Sequence, residues 1–597
     1  MPLPKTPQPR IQVQAVEPIV DCGRYAVKKT VGDTVDVYAT VFKDGHDTLG
    51  GTVRFRRPGE RKWREEPLLA LGNDRFGGSF FVDRPGRWEF CVAAWTDRVA
   101  TWQDEIRRKS EAGQRDLAGE LAEGAQLLGR ESLTLEEGLA APAGDRHDEA
   151  CSQTFEVDVD RELARFGAWY ELFPRSFGGF RGVAKALPRL AELGFDVVYL
   201  PPIHPIGVTN RKGRNNAPQA EPGDVGSPWA IGSAEGGHDA INPELGTWDD
   251  FDAMVAAAKE AGVEIALDLA INASPDHPWL KEHPEWFYRR PDGTLKYAEN
   301  PPKRYQDIYN VNFESEDWEG LWQALLDVVL GWVRRGITVF RVDNPHTKPA
   351  PFWEWLIREV RKERPETIFL AEAFTRPSMM TTLAKLGFAQ SYTYFTWKNS
   401  KAELVEYMDQ LLAWQWFYRP NAFTNTPDIL HEYLQHGGPP AFEARLVLAA
   451  TLSPSYGIYS GYEHYENVPV RPGSEEYLDS EKYEAKKRAL DGPLLPLVQR
   501  LNEIRRAEPA LQRVENLRWL DTENDNLVAY AKDDVLVVVN LDPFNVQEGV
   551  CVVPVALGFP PAFDARDLLG AQTFTWRAGR NFVRLAPGKS HIVKVEI

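Results

Sequence analysis

Asp268, Asp343, Glu372 and Asp428 each end a short apolar run, in ALDLAINA, FRVDNPHTKP, FLAEAF and FTNTPDIL. Carboxylates brought together from such runs can divide labour, because like charges shift one another's pKa and separate a nucleophile from a proton donor. Asp343 and Glu372 are 29 positions apart, and Glu372 and Asp428 are 56 apart. These intervals are close to one and two steps of the ~30 residues in a strand–helix–strand unit. Taken singly, each acid has a plainer reading, since an Asp at a strand end caps the next helix or pairs with a nearby Arg. Arg341, two residues before Asp343 and so on the same face of its strand, would supply that pair. The order of the acids and their surroundings favours chemistry.

The elements that must position these acids follow from the pattern of residues 161–507. AWYELF, FDVVYL, VEIALDL, ITVFRVD, TIFLAEAF, SYTYFTW, NAFTN and YGIYSG read as strands, with helical stretches such as TWDDFDAMVAAAKEAG and FWEWLIREVRKE between many of them. Near-continuous apolar strands alternating with helices predict a (β/α)8 barrel, whose catalytic groups gather at the C-terminal ends of the strands. The polar segment 273–318 reads as a long loop after the third strand. Residues 1–160 carry the alternation of half-buried strands, as in TVDVYATVF, and predict an N-terminal β-sandwich. A proline-free stretch at about 102–140, with Ile106, Leu117, Leu121 and Leu128 at helical intervals, predicts a helical insertion. Residues 508–597 return to strands without long helices and predict a second sandwich. The expected fold class is therefore multidomain, with a central barrel between two β-sandwich domains.

Composition narrows the class of partner. The chain of 597 residues has 69 Lys+Arg against 87 Asp+Glu, a formal net charge of −18, which disfavours nucleic acid and anionic membrane. Its four cysteines, Cys22, Cys91, Cys151 and Cys551, form neither a disulfide framework nor a metal-knuckle spacing. No run approaches a membrane span, and the first residues lack an apolar signal core, so a soluble cytoplasmic protein is expected. The 19 Trp, 20 Tyr and 29 Phe, many of them beside Pro, Gly or charge, permit a carbohydrate surface and equally permit loop packing. No His or Cys pair has metal-ligand spacing, and no Gly-rich nucleotide loop appears, so no metal or cofactor is expected.

The three acid motifs FRVDNPHTKP, FLAEAF and FTNTPDIL resemble those of the α-amylase superfamily of glycoside hydrolases and transglycosylases. The likeness narrows through NRKGRNN, GSPWAIGSAEGGHDAINP, SPDHPWLKEHPEWF, YQDIYN, SYTYFTW, NTPDILHEYLQHGG and EEYLDSEKY. These resemble the α-1,4-glucan:maltose-1-phosphate maltosyltransferases. The resemblance implies a retaining transfer of a maltosyl unit from α-maltose 1-phosphate to a maltooligosaccharide or glycogen acceptor, with no cofactor. Asp343 would be the nucleophile, Glu372 the general acid and base, and Asp428 the residue that holds sugar hydroxyls in the transition state. Lys212, Asn272, Asp307, Asn344, Lys482 and Tyr483 match donor-binding positions, and Arg341 would keep Asp343 ionised. A homodimer is also expected, with the helical insertion a candidate surface for it.

Departures from the superfamily pattern bear on the substrate. Where α-amylases place His after the third-strand Asn and before the seventh-strand Asp, this chain has Ala273 and Pro427. That argues against plain starch hydrolysis and suits a pocket rebuilt around phosphate. Asn272 stands where some members have Gln, one methylene longer. His238, Asp239 and His346 read as pocket shapers. Two other functions stay open at this level: a maltogenic amylase-like hydrolase or transglycosylase, and a non-catalytic glucan-binding protein.

Overall fold

A computed structural model describes residues 9–300, 303–570 and 572–596; residues 1–8 of the Pro-rich start lie outside it. Tertiary contacts part the chain at Arg161/Glu162 into two units.

In the first unit, two sheets of four and six strands enclose a core that includes Val37, Phe55, Phe80, Trp88 and Phe90. TVDVYATVF forms the strand Thr34–Phe42 and buries every second residue, as the period of a half-buried strand requires. The helical insertion is longer than its periodicity suggested and holds three helices, Arg98–Glu111, Ala118–Leu127 and Leu135–Leu139. It begins early because the Asp97 side chain accepts from the Ala100 amide and caps the first turn. The three helices gather round Trp102, whose Nε1 donates to the Glu120 carbonyl at 2.6 Å. Leu117, Leu121 and Leu128 pack against the cluster of Trp102, Ile106, Ala125 and Leu133.

In the second unit, eight parallel strands close into a barrel. They are β1 Gly167–Glu171, β2 Val197–Leu200, β3 Glu264–Leu269, β4 Val339–Val342, β5 Ile368–Ala371, β6 Gln390–Tyr392, β7 Pro420–Phe423 and β8 Ser455–Tyr459. Each contains part of a run expected to be a strand. The sixth is shorter than SYTYFTW implied, since Tyr394–Trp397 turns into a 3-10 helix with Thr393 accepting from the Phe395 amide. The helices lie on the outside and bury one stripe each. Ala350–Glu363, for example, covers Phe352, Trp353, Leu356, Ile357 and Val360. The segment after β3 is more than a loop. Asn272–Ala273, Tyr297–Asn300 and Lys303–Asn310 form a small antiparallel sheet.

The barrel interior is filled, not hollow. Trp169, Tyr199, Val339, Leu370, Tyr392 and Phe423 belong to one buried cluster, and the rings of Tyr392 and Phe423 lie 4.6 Å apart. Gly457 on β8 makes room for this packing, because a Cβ there would lie 2.4 Å from Phe423 Cζ. The C-terminal strands join in an eight-stranded sheet round Leu536, Val538, Val553, Phe563, Trp576 and Val593. That sheet belongs to the same unit as the barrel. Tyr433 donates to the Leu541 carbonyl at 2.6 Å, and Lys401 Nζ donates to Thr522 Oγ1 at 2.7 Å.

Gly457→Ala should displace Phe423 and cost about 1–3 kcal/mol through overpacking. Chemical denaturation of variant and parent would measure the loss, and an unchanged midpoint would count against this account of the interior.

Candidate active site

The strand ends open into a cavity of about 720 Å3. Its chemistry begins on β4, where Arg341 and Asp343 point to the same side of the chain. Backbone ladders continue one residue past the strands: Asp343 N donates to the Leu269 carbonyl at 3.1 Å and Glu372 N to Val342 at 3.0 Å. Both carboxylates therefore start from rigid backbone. The register sets Asp268 beside Arg341.

The Arg341 side chain joins three acids. Nη1 donates to Asp268 Oδ2 and to Asp343 Oδ1, both at 2.9 Å, and Nη2 lies 3.1 Å from Glu372 Oε1. The guanidinium also faces the rings of Tyr199 and Tyr392, at 5.6 and 5.7 Å. Burial opposes its charge, yet Asp268, Glu372, Tyr199 and Asp343 hold its pKa well above the ordinary value. Tyr199 donates to Asp268 Oδ2 at 2.6 Å, and Asn272 Nδ2 donates to Asp343 Oδ2 at 3.2 Å. Asp343 thus accepts hydrogen bonds on both oxygens.

The acids are not equivalent. Burial, with Asp343 and Asp428 adding to it against the pull of Arg341, raises the Glu372 pKa to about 8. Burial likewise raises Asp268 to about 7. Glu372 Oε2 accepts from the Asn344 amide at 3.2 Å, a contact that follows from the left-handed Asn344 backbone at φ 41°. The turn after Asp343 is held from outside the barrel, with Trp353 Nε1 donating to the Pro345 carbonyl at 2.9 Å.

Lys212, Asn272, Asp307, Asp343, Asn344, Glu372, Asp428, Lys482 and Tyr483 all line the cavity, and Arg341 lies beneath its floor. Lys482 Nζ pairs with Asp428, which with Tyr483 and Glu476 keeps its pKa well above normal despite the opposing effect of burial. Lys212 is 5% exposed rather than a solvated loop residue, and its Nζ donates to Gln306 Oε1 at 2.7 Å. Asp307 is buried with one carboxylate oxygen unpartnered, and burial raises its pKa. Ala273 is fully buried in the small sheet opposite Tyr309, a packing position. His346 lines the cavity, whereas His238 is buried against the Ala270 carbonyl.

Two residues escaped the sequence reading. Glu171, the last residue of β1, is a buried acid whose pKa burial raises well above normal, with Arg341 pulling it back. The strand-end rule that selected the other acids would have found it. Lys348, five residues after Asp343, lines the cavity and donates to Thr347 Oγ1 at 2.9 Å; burial lowers its pKa. Among the described residues, His283, Glu285 and Asp317 could hold a metal ion. The Asp317 oxygens already accept from Trp286 Nε1 and the Gly320 amide, at 3.0 and 3.3 Å, which gives that group a structural use.

Arg341→Gln leaves several buried carboxylates without their counter-charge, and should cost about 3–5 kcal/mol at neutral pH. The loss should shrink toward about pH 5, because carboxylates with raised folded-state pKa values favour the fold when protonated. Denaturation at the two pH values tests this, and a loss independent of pH would contradict the assignment.

Family models match along the chain. "Alpha-1,4-glucan:maltose-1-phosphate maltosyltransferase, domain N/S" matches residues 9–170, "Alpha amylase, catalytic domain" residues 158–320, and "GLGE, C-terminal" residues 519–595. A solved α-amylase from Lactobacillus plantarum shares the fold at 23% identity, with a TM-score of 0.57 over 72% of this chain and 99% of its own. The α-1,4-glucan:maltose-1-phosphate maltosyltransferase of Mycolicibacterium smegmatis is 46% identical over 98% of this chain and 97% of its own length. A second such protein, from Streptomyces coelicolor, is 50% identical over 97% of this chain and 95% of its own. With that identity over nearly its full length, the chain belongs to the α-1,4-glucan:maltose-1-phosphate maltosyltransferase family.

Proposed function

We propose that the enzyme moves a maltosyl unit from α-maltose 1-phosphate to the non-reducing 4-hydroxyl of a linear α-1,4-glucan, with retention at the anomeric carbon, and so extends glycogen-like polymers. One observation carries this reading: Asp343 and Glu372 share the Arg341 guanidinium at the cavity floor, and burial raises the pKa of Glu372 to about 8. A retaining pair needs its carboxyl groups ~5–5.5 Å apart, and contact with one guanidinium makes these two neighbours. The names of the near-full-length relatives supply the donor and acceptor.

In the first step, Asp343 Oδ attacks the anomeric carbon as the bond from that carbon to the phosphate oxygen breaks. Glu372, protonated at neutral pH, gives its proton to the departing oxygen. Phosphate leaves, and a β-maltosyl ester of Asp343 remains. In the second step, the acceptor 4-hydroxyl attacks the same carbon, Glu372 takes its proton, and Asp343 is released as carboxylate. Arg341 and Asn272 hold Asp343 in place through hydrogen bonds to its two oxygens. The Lys482–Asp428 pair and Tyr483 are assigned to the maltosyl hydroxyls, and Asp307, with its open oxygen, to another donor contact. A phosphate among carboxylates needs cations and amide donors. Lys212 and Asn344 on the cavity wall fit that need.

Incubation with α-maltose 1-phosphate and a short maltooligosaccharide should release phosphate in step with products two glucoses longer. Asp343→Ala should abolish both. Phosphate-free cutting or reshuffling of the oligosaccharide would instead indicate an amylase-type transglycosylase, and binding without turnover a glucan-binding protein. The basic limb of kcat/KM should fall about tenfold per pH unit above about 8, where Glu372 loses the proton it must donate. A profile flat to pH 10 would rule out Glu372 as the acid.

A further inference from the structure

Three buried histidines lie outside the set of residues that lines the cavity. His238 is 2% exposed and His277 1%. Trp279 N donates to His277 Nδ1 at 3.1 Å, so neutral His277 carries its proton on Nε2. That nitrogen is 3.0 Å from His238 Nδ1, and His238 Nε2 is 2.9 Å from the Ala270 carbonyl. Each ring therefore has one tautomer, and the protons all point one way, from the Trp279 amide to Ala270. Burial lowers the pKa of His238 to about 4 and that of His277 to about 2, so both stay neutral. The third ring, His204, lies 5.7 Å from His238 and donates to the Ala240 carbonyl at 2.9 Å.

The surroundings are built to fit this pair. A Cβ on Gly237 would lie 2.5 Å from His277 Nε2, and one on Gly232 2.5 Å from His277 Cδ2. Trp279 stacks on His238 at 5.4 Å, and Trp332 Nε1 donates to the His238 carbonyl at 2.9 Å. The chain ends at Ala270, two residues before Asn272, whose amide donates to Asp343. Ser274 ties the far side of that segment down, donating to the Ile231 and Gly232 carbonyls through its N and Oγ at 2.6 and 2.5 Å and accepting from the His277 amide on its carbonyl at 3.2 Å.

We infer that His238 and His277 are positioning residues for the transfer: together they fix backbone 270–272, and through it the Asn272 amide on Asp343. The inference rests on the role of Asp343 proposed above. Neither ring lines the cavity, and the effect of the pair passes through a single hydrogen bond to the nucleophile. A displacement of the order of 1 Å at a reacting group costs about 100-fold in rate.

The test is a double-mutant cycle with α-maltosyl fluoride as donor. Its turnover requires Asp343 but no phosphate, so a failure of the donor assignment leaves the cycle readable. His238→Phe should lower kcat about 10–100-fold with KM within about twofold, and His238→Gln, which keeps a donor for Ala270, should recover most of it. In an Asn272→Ala background His238→Phe should cost less than about threefold more, because the two act through one contact. An equal loss in both backgrounds, a loss confined to KM, or a Gln variant as slow as the Phe variant would overturn the inference. His277→Asn gives a second route, keeping an acceptor for the Trp279 amide while removing the proton donated to His238. In that variant, amide hydrogen exchange across 270–274, which needs no turnover, should quicken; unchanged exchange would also overturn it.

Discussion

The site depends on the Arg341 guanidinium and on how its charge is shared. A buried cation is costly, and buried carboxylates packed together are costly as well. Each is tolerable here because one planar group contacts Asp268, Asp343 and Glu372 at once. Tyr199 and Asn272 complete the hydrogen bonding. Burial raises the pKa of Glu372 and of Asp268, and neighbouring acids add to it, against the pull of the single guanidinium. Burial, with the neighbouring acids adding to it, is thus what leaves a proton on Glu372. The same arrangement that holds the nucleophile in place provides the acid.

Around that floor, the walls come from the long connections after β2 and β3 and before the last barrel helix. Lys212 comes from the first, Asn272 and Asp307 from the second, and Lys482 and Tyr483 from the third. The third is anchored from below. Glu481 accepts from Tyr459 on β8 at 2.5 Å and from Arg488 at 2.6 Å, which presents Lys482 to Asp428. Rigid strands thus carry the reacting groups, while loops tied back to those strands carry the groups assigned to binding.

The strands were legible because parallel barrel strands are buried on both faces and read as unbroken apolar runs. The acids were legible because each follows such a run. What blurred the reading was local hydrogen bonding that overrides pattern. Thr393 turns SYTYFTW into a 3-10 helix after two strand residues, and Asp97 starts the helical insertion before its apolar stripe appears. The polar segment after β3 gave no alternation strong enough to reveal its small sheet, one edge of which pairs Asn272 with Asn310, far apart in sequence.

The sequence by itself determined the order of the elements, the residue types at each strand end and the family to which they belong, because these are encoded by period, composition and motif. The tertiary structure alone decided that one guanidinium serves three acids, that Lys212 is buried, that Glu171 joins the group, and that His238 and His277 meet across 39 positions of chain. Those are distances between groups far apart along the chain. A pKa or a tautomer depends on such distances and on exclusion of water, and neither exists until the barrel closes.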